Sequence, residues 1–236
     1  PVSWNHNNDL TGVCDLNGNA HEWALGLRTM DGEIQTIQHN DAALSTADVS
    51  SSSSLWKAIA ADGSLVAPGS SGTIKLDWRA GKWTFVTDAL TGQSEDGHST
   101  GFNALATTLS AVPQILYGIG VYPQEPNGDY GSDDLWAINK GERVPIRGGS
   151  WNNTSNAGVF KLNLNNVRSN ANGNIGRRSA FPRQMNHSLP EKMGWITRAK
   201  GVRICRQRRG ALHEKFVFAS RQTVYRGEWP EYPTAR

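Results

Sequence analysis

Between Arg147 and Phe181 the sequence runs RGGSWNNTSNAGVFKLNLNNVRSNANGNIGRRSAF, and the placement of its asparagines constrains the fold more than any other feature of the chain. Asparagine forms helices and strands poorly, because its amide competes for nearby backbone groups. Nine of them, Asn152, Asn153, Asn156, Asn163, Asn165, Asn166, Asn170, Asn172 and Asn174, are therefore not what folding alone would select. Interleaved with them are apolar or small residues: Trp151, Ala157, Gly158, Val159, Phe160, Leu162, Leu164, Val167, Ile175, Ala180 and Phe181. Along Val159 to Val167 the two kinds nearly alternate, with Phe160, Leu162 and Leu164 on one face and Lys161, Asn163 and Asn165 on the other, the pattern of a half-buried strand. One face, with Trp151, is expected to be core. The other, carrying the nine asparagines, is expected to be a display surface.

A chain of 236 residues can bury a sizeable core around such a strand without covalent staples. With 25 glycines, nine tryptophans and 19% charged residues, the expectation is a compact, turn-rich, aromatic-anchored protein with little regular helix. No apolar run reaches the roughly 18 residues a membrane span needs. Pro1 opens the chain with neither an initiator Met nor a secretory apolar region, so localisation is not legible there. Cys14 and Cys205 stand far apart and outside CxxC spacing, which argues against a disulfide framework or zinc site; two reduced thiols are expected, with a single long-range bridge as the alternative. Residues 182–236 carry twelve Lys and Arg against four Glu, while residues 1–181 carry twelve basic against seventeen acidic, a net of about −5. The charge step predicts a body over 1–181 and a basic extension over 182–236.

Along the body, turn chemistry at Asp15-Leu-Asn-Gly-Asn19 precedes a strand expected over Trp23 to Arg28, turned by Met30-Asp-Gly-Glu33 into a second over Ile34 to Ile37. His21 and Glu22 have the chemistry of a metal or acid–base pair, but no further ligand stands at suitable spacing, and a polar corner supporting Trp23 is expected. Ser54 to Ala61 reads as a short Ser-capped helix after a serine-rich loop. Strands are expected over Ile74 to Trp78 and Trp83 to Thr87 around a Gly81-Lys82 turn, and a helix over GFNALATTLSAV ending at Pro113. Asp129, Asp133 and Asp134 offer oxygens to Ca²⁺, yet the DxDxDG spacing is absent and a solvated turn is expected. In the extension, RICRQRRG reads as a solvated or partner-facing surface ahead of a nucleic-acid contact, and Phe216-Val-Phe and Thr223-Val-Tyr as short strands.

The segments GVCDLNGNAHEW at 12–23 and RGGSWNN at 147–153 resemble the paired signatures of the formylglycine-generating-enzyme, or sulfatase-modifying-factor, branch of the C-type lectin fold. More closely, GGSWNNTSNAGVFKLNLNNVRSNANGNIGRRSAF resembles the variable region of the variable proteins of diversity-generating retroelements, as do LRTMDGEIQTIQHNDAA and LWKAIAADGSLVAPG between the signatures. The resemblance covers roughly residues 3–181. It departs at Arg177, where the family has Phe, and in the continuation of the chain past Phe181. It implies an α+β, C-type lectin-like fold of short antiparallel strands, two short helices and much irregular loop. It also implies a surface rewritten by a reverse transcriptase that errs at template adenines, for which adenine-rich Asn codons are the undiversified state.

The implied function is non-catalytic binding of a protein or glycan on a cell surface, from a virion or cell surface, through the nine asparagines. No cofactor, metal, membrane span or nucleic-acid partner is expected. Two alternatives from other classes are weighed against it. A formylglycine-generating oxidase needs paired reactive cysteines near the final motif, and 147–181 contains none. A calcium-dependent sugar lectin needs a carboxylate-rich motif; Glu125-Pro-Asn127 has the letters but lies in a proline-rich turn.

Overall fold

The computed structural model describes residues 3, 5, 7–10, 17–125 and 128–176, together with the backbones of Val202–Arg203 and Val217–Phe218. The chain is mostly strand, with few short helices and much loop. In order it forms β1 (His21–Trp23), β2 (Leu27–Met30), β3 (Glu33–Ile37), β4 (Trp56–Ile59), β5 (Leu65–Val66), β6 (Lys75–Arg79) and β7 (Lys82–Val86). There follow β8 (His98–Gly101), β9 (Ala106–Thr107), α1 (Gln114–Gly118), β10 (Asp134–Ala137), β11 (Glu142–Arg147), β12 (Leu162–Asn166) and β13 (Ile175–Gly176). Val202–Arg203 (β14) pairs antiparallel with Val217–Phe218 (β15). The boundary expected at 181, Cys14, Cys205, Arg177, Phe181, Pro126 and Asn127 lie outside the described residues. Among the described residues no helix is long and apolar enough to cross a membrane.

Two local turns set the hairpins. Asp31 and Gly32, at φ 47° and 80°, join β2 to β3 as a two-residue turn whose twist suits antiparallel strands, and Gly32 is fixed further because a Cβ there would stand 2.8 Å from the Leu76 carbonyl. Ala80 and Gly81 do the same between β6 and β7, one residue ahead of the expected turn. The strands join in the order β8-β10-β12-β11-β2-β3-β6-β7-β9, with β1 bridging β11 and β13 and β4 pairing with β3. The sheet curls until β7 meets β8: Trp83, fully buried, donates its backbone N–H to Thr100 Oγ1 and its indole N–H to the His98 carbonyl, both at 2.8 Å. Ile34, Ile74, Leu76, Phe85, Leu116, Leu135, Leu162 and Leu164 fill the space so enclosed.

Both expected helices are corrected. Ser54 to Ala61 holds β4, because Trp56, Ala58 and Ile59 bury against neighbouring strands and β4 pairs with β3, a non-local gain that outweighs the helix preference of its alanines. Residues 101–112 form the end of β8, a 3-10 turn at Phe102–Ala104 and β9, and Pro113 stands ahead of α1 instead of ending a helix. Among the described residues, α1 is the one α-helix, accompanied by 3-10 turns. The strand expected over Trp23 to Arg28 is split into β1 and β2.

Within the Asn-rich segment the expected strand is shortened to β12, and its parity holds: Leu162 and Leu164 are buried while Asn163 and Asn165 lie on the other face. Asn166 shares the inward parity of the leucines and is buried, contrary to its place on the display face. Its side chain donates to Asn165 Oδ1 at 2.9 Å and accepts from Asn170. Trp151 is also corrected. Gly148 and Gly149, at φ 86° and 71°, turn the chain so that Ser150 goes inward and Trp151 stands 62% exposed. Lys161 has the expected outward parity yet is buried, for reasons that belong to the site.

Candidate functional site

The outer faces of β8, β10 and β12 form one row. Ser99 pairs with Trp136 across the β8–β10 ladder and Trp136 with Asn163 across β10–β12, so all three side chains project from the same side of the sheet. Asp134, two residues earlier on β10, and Lys161, just ahead of β12, reach the same side. Over this row hang β1, which brings His21, the turn following β11, which brings Asn152, Asn153 and Asn156, and Asn174 just before β13. Together they enclose a groove of about 440 Å³.

The floor is electrostatically closed. Lys161 Nζ donates to Asp134 Oδ1, and Asp134 Oδ2 accepts the Ser99 hydroxyl. This pairing explains how a lysine sits buried, at 3% exposure, on a polar face: a buried cation persists only with a partner. β8 is held in place by His98, stacked on Trp78 with ring centroids 4.3 Å apart, so Ser99 is presented from a fixed strand. Gly97 makes room for the Trp136 indole, which a Cβ there would meet at 2.8 Å; Trp136 remains 39% exposed on the groove wall.

His21 is 4% exposed, and a ring N–H is directed at the Arg147 carbonyl. Burial, aided by the Lys161 charge, lowers its pKa and favours the neutral ring. Hydrogen bonds with the Asn153 side chain and the Arg147 carbonyl offset part of that lowering, while Nδ1 itself meets no partner of ordinary hydrogen-bond geometry. The Asn163 Oδ1 atom is also buried and unpartnered.

The asparagine turn is built by its own side chains. Asn153 Oδ1 accepts the Ser150 N–H at 2.8 Å, and the Ser150 hydroxyl lies 2.6 Å from Asn152 Oδ1 and 2.9 Å from Asn153 Oδ1. Beneath it, buried Asp133 accepts the Phe160 N–H at 2.8 Å. Burial pushes the Asp133 carboxyl upward from the usual range, and the Phe160 and Lys161 N–H groups and the Lys161 charge offset only part of that.

Of the nine asparagines expected to bind ligand, Asn152, Asn153, Asn156, Asn163 and Asn174 meet at the groove. Asn165, Asn166, Asn170 and Asn172 do not. Asn166 belongs to the inner face, and Asn172 is exposed beyond the groove. His21, Ser99, Asp134, Trp136 and Lys161 line the groove without having been singled out as ligand contacts. The alternation on β12 marks Lys161, but the others come from strands whose adjacency no local pattern reveals. Asp129, Asp133 and Asp134 diverge, Asp129 accepting the Gly131 N–H at 2.9 Å. Among the described residues no three His, Cys, Asp or Glu gather as a metal cluster. No protein-family model matches the chain, and no curated protein matches it.

Proposed function

We propose that this chain is a non-catalytic receptor or adhesion protein of C-type lectin-like fold, whose Asn-rich surface is rewritten by a retroelement reverse transcriptase and binds a protein or glycan on a cell. One observation carries the reading: five asparagines from a single segment converge on one groove, while Leu162 and Leu164, on either side of Asn163 on β12, go to the core. Surface and scaffold are thereby separable, and exposed side chains can be exchanged at a cost usually within about 0.5 kcal/mol. The groove's volume lies in the range of roughly 300–1,000 Å³ typical of ligand sites.

The test is a display library varied only at Asn152, Asn156, Asn163 and Asn174 and panned on whole cells. Binders with altered cell preference and unchanged melting support the proposal; uniform unfolding of the library overturns it. The genetic half is tested at the locus, where a reverse-transcriptase gene should stand beside a near-copy of the 150–178 coding segment differing at adenines.

A further inference from the structure

Three asparagines of the chain are followed by glycine: Asn17, Asn127 and Asn172. The pairing matters chemically, because the backbone nitrogen of the following residue can attack the asparagine Cγ, and a residue without a Cβ leaves that approach open. Attack requires the amide nitrogen to give up its proton and swing toward the side chain. An N–H already held by a carbonyl does both less readily.

The fold separates the three on this point. Gly18 donates its N–H to the Gly148 carbonyl and Gly128 donates to the Glu125 carbonyl, both at 2.8 Å. Gly173 donates to no partner among the described residues. It occupies the second position of a turn closed by the Ile175 N–H on the Asn172 carbonyl at 3.1 Å, where its N–H takes no part in the turn's own bond. Asn172 and Gly173 are both exposed, and a Cβ built on Gly173 would meet nothing within 4 Å, so a ring has room to close there. Every other asparagine between 152 and 174 precedes a residue that carries a Cβ.

We infer that the fold makes Asn172, and not Asn17 or Asn127, the chain's site of spontaneous deamidation. The Gly173 nitrogen bonds to Asn172 Cγ as the bond from Cγ to the side-chain nitrogen breaks, and that nitrogen leaves as ammonia with the proton Gly173 gives up. Water then opens the succinimide at either carbonyl, leaving aspartate or isoaspartate. The product sets a carboxylate among neutral amides, and the isoaspartate form also routes the backbone through Cβ. Asn174, two residues on, lines the groove and accepts the His21 N–H at 2.9 Å, so the change falls beside the groove wall. The surface acquires a charge that no codon specifies, whether or not a ligand is bound.

The test holds the full chain at mildly alkaline pH and physiological temperature and follows each Asn-Gly peptide by mass spectrometry, separating isoaspartate from aspartate by chromatography. A parallel sample is unfolded in guanidinium. Gly173→Ala is carried alongside with its thermal melt, since Gly173 is outside the left-handed region and alanine there meets no neighbour. In the folded chain Asn172 should convert roughly five- to tenfold faster than Asn17 and Asn127, the ratio that one net hydrogen bond gives. Unfolding should collapse that ratio, and Gly173→Ala should slow Asn172 several-fold with its melt unchanged. Equal rates in the folded chain, an unconverted Asn172, a ratio that persists on unfolding, or a rate indifferent to Gly173→Ala each overturns the inference.

Discussion

Gly158→Ala isolates how the groove's turn is seated on the sheet. The glycine is not in the left-handed region, so alanine suits its backbone and the effect is steric. An added Cβ would overlap both carboxylate oxygens and Cγ of Asp133. The carboxylate, buried and accepting the Phe160 N–H at 2.8 Å, has to move. Losing a hydrogen bond to a charged acceptor costs about 1.5–3 kcal/mol, and overpacking adds about 1–3 kcal/mol. A total of roughly 3–5 kcal/mol lowers Tm by roughly 6–20 °C for a domain of this size. Chemical denaturation supplies the free energies and calorimetry the Tm. The decisive comparison is a double-mutant cycle with Asp133→Ala, which removes the obstructing carboxylate: in that background Gly158→Ala should add no more than about 0.5 kcal/mol. If the two losses simply sum, the seat is not this contact and the reasoning fails.

Three further outcomes follow from the same geometry. Leu162→Ala and Leu164→Ala each remove fully buried volume and should cost about 2–5 kcal/mol in denaturant melts, whereas Trp151→Ala, at 62% exposure, should stay within about 0.5 kcal/mol; a large Trp151 effect would contradict its outward placement. Asn153→Ala removes the acceptor for Ser150 and should cost about 1 kcal/mol more than Asn156→Ala, measured in the same way. The pH dependence turns on His21, whose folded pKa is lowered from 6.5, first by burial and then by Lys161. The neutral ring is favoured in the fold, so its contribution is present above the unfolded value and is lost as pH falls from about 6.5 toward the folded value. Unfolding free energies at pH 7.5 and 5.5 should therefore differ less in His21→Gln than in the parent, and an unchanged difference would remove His21 as the cause.

What the sequence disclosed was local. The Asp31-Gly32 turn and the leucine–asparagine alternation of β12 follow from backbone rules acting over a few residues, whereas Asn153, read as a display residue, also holds its own turn by accepting the Ser150 N–H. The misread helices at 54–61 and 101–112 are apolar, alanine-containing stretches whose state is decided by partners distant in sequence, such as β3 beside β4. Asn166 follows the same parity as Leu162 and Leu164, but its identity masked its position. The groove was half legible for a related reason. Its asparagines lie in one segment, whereas His21, Ser99, Asp134 and Trp136 join them only through the order β8-β10-β12 and the crossing of β1.

Glu142 accepts Arg168 through both oxygens, at 2.7 and 2.9 Å, and Arg28 at 2.7 Å, while the Asn174 carbonyl receives the His21 N–H at 2.9 Å. The residues between Arg168 and Asn174 are thus tethered at one end to β11 and at the other to β1, two strands that pair with each other. Upstream, the Ser150–Asn153 turn and the Asp133–Phe160 bond clamp the preceding stretch in the same way. Such a surface accepts new letters but not a new word length. One inserted residue would have to lengthen a span whose anchors are fixed, so this segment can change by substitution far more readily than by insertion or deletion.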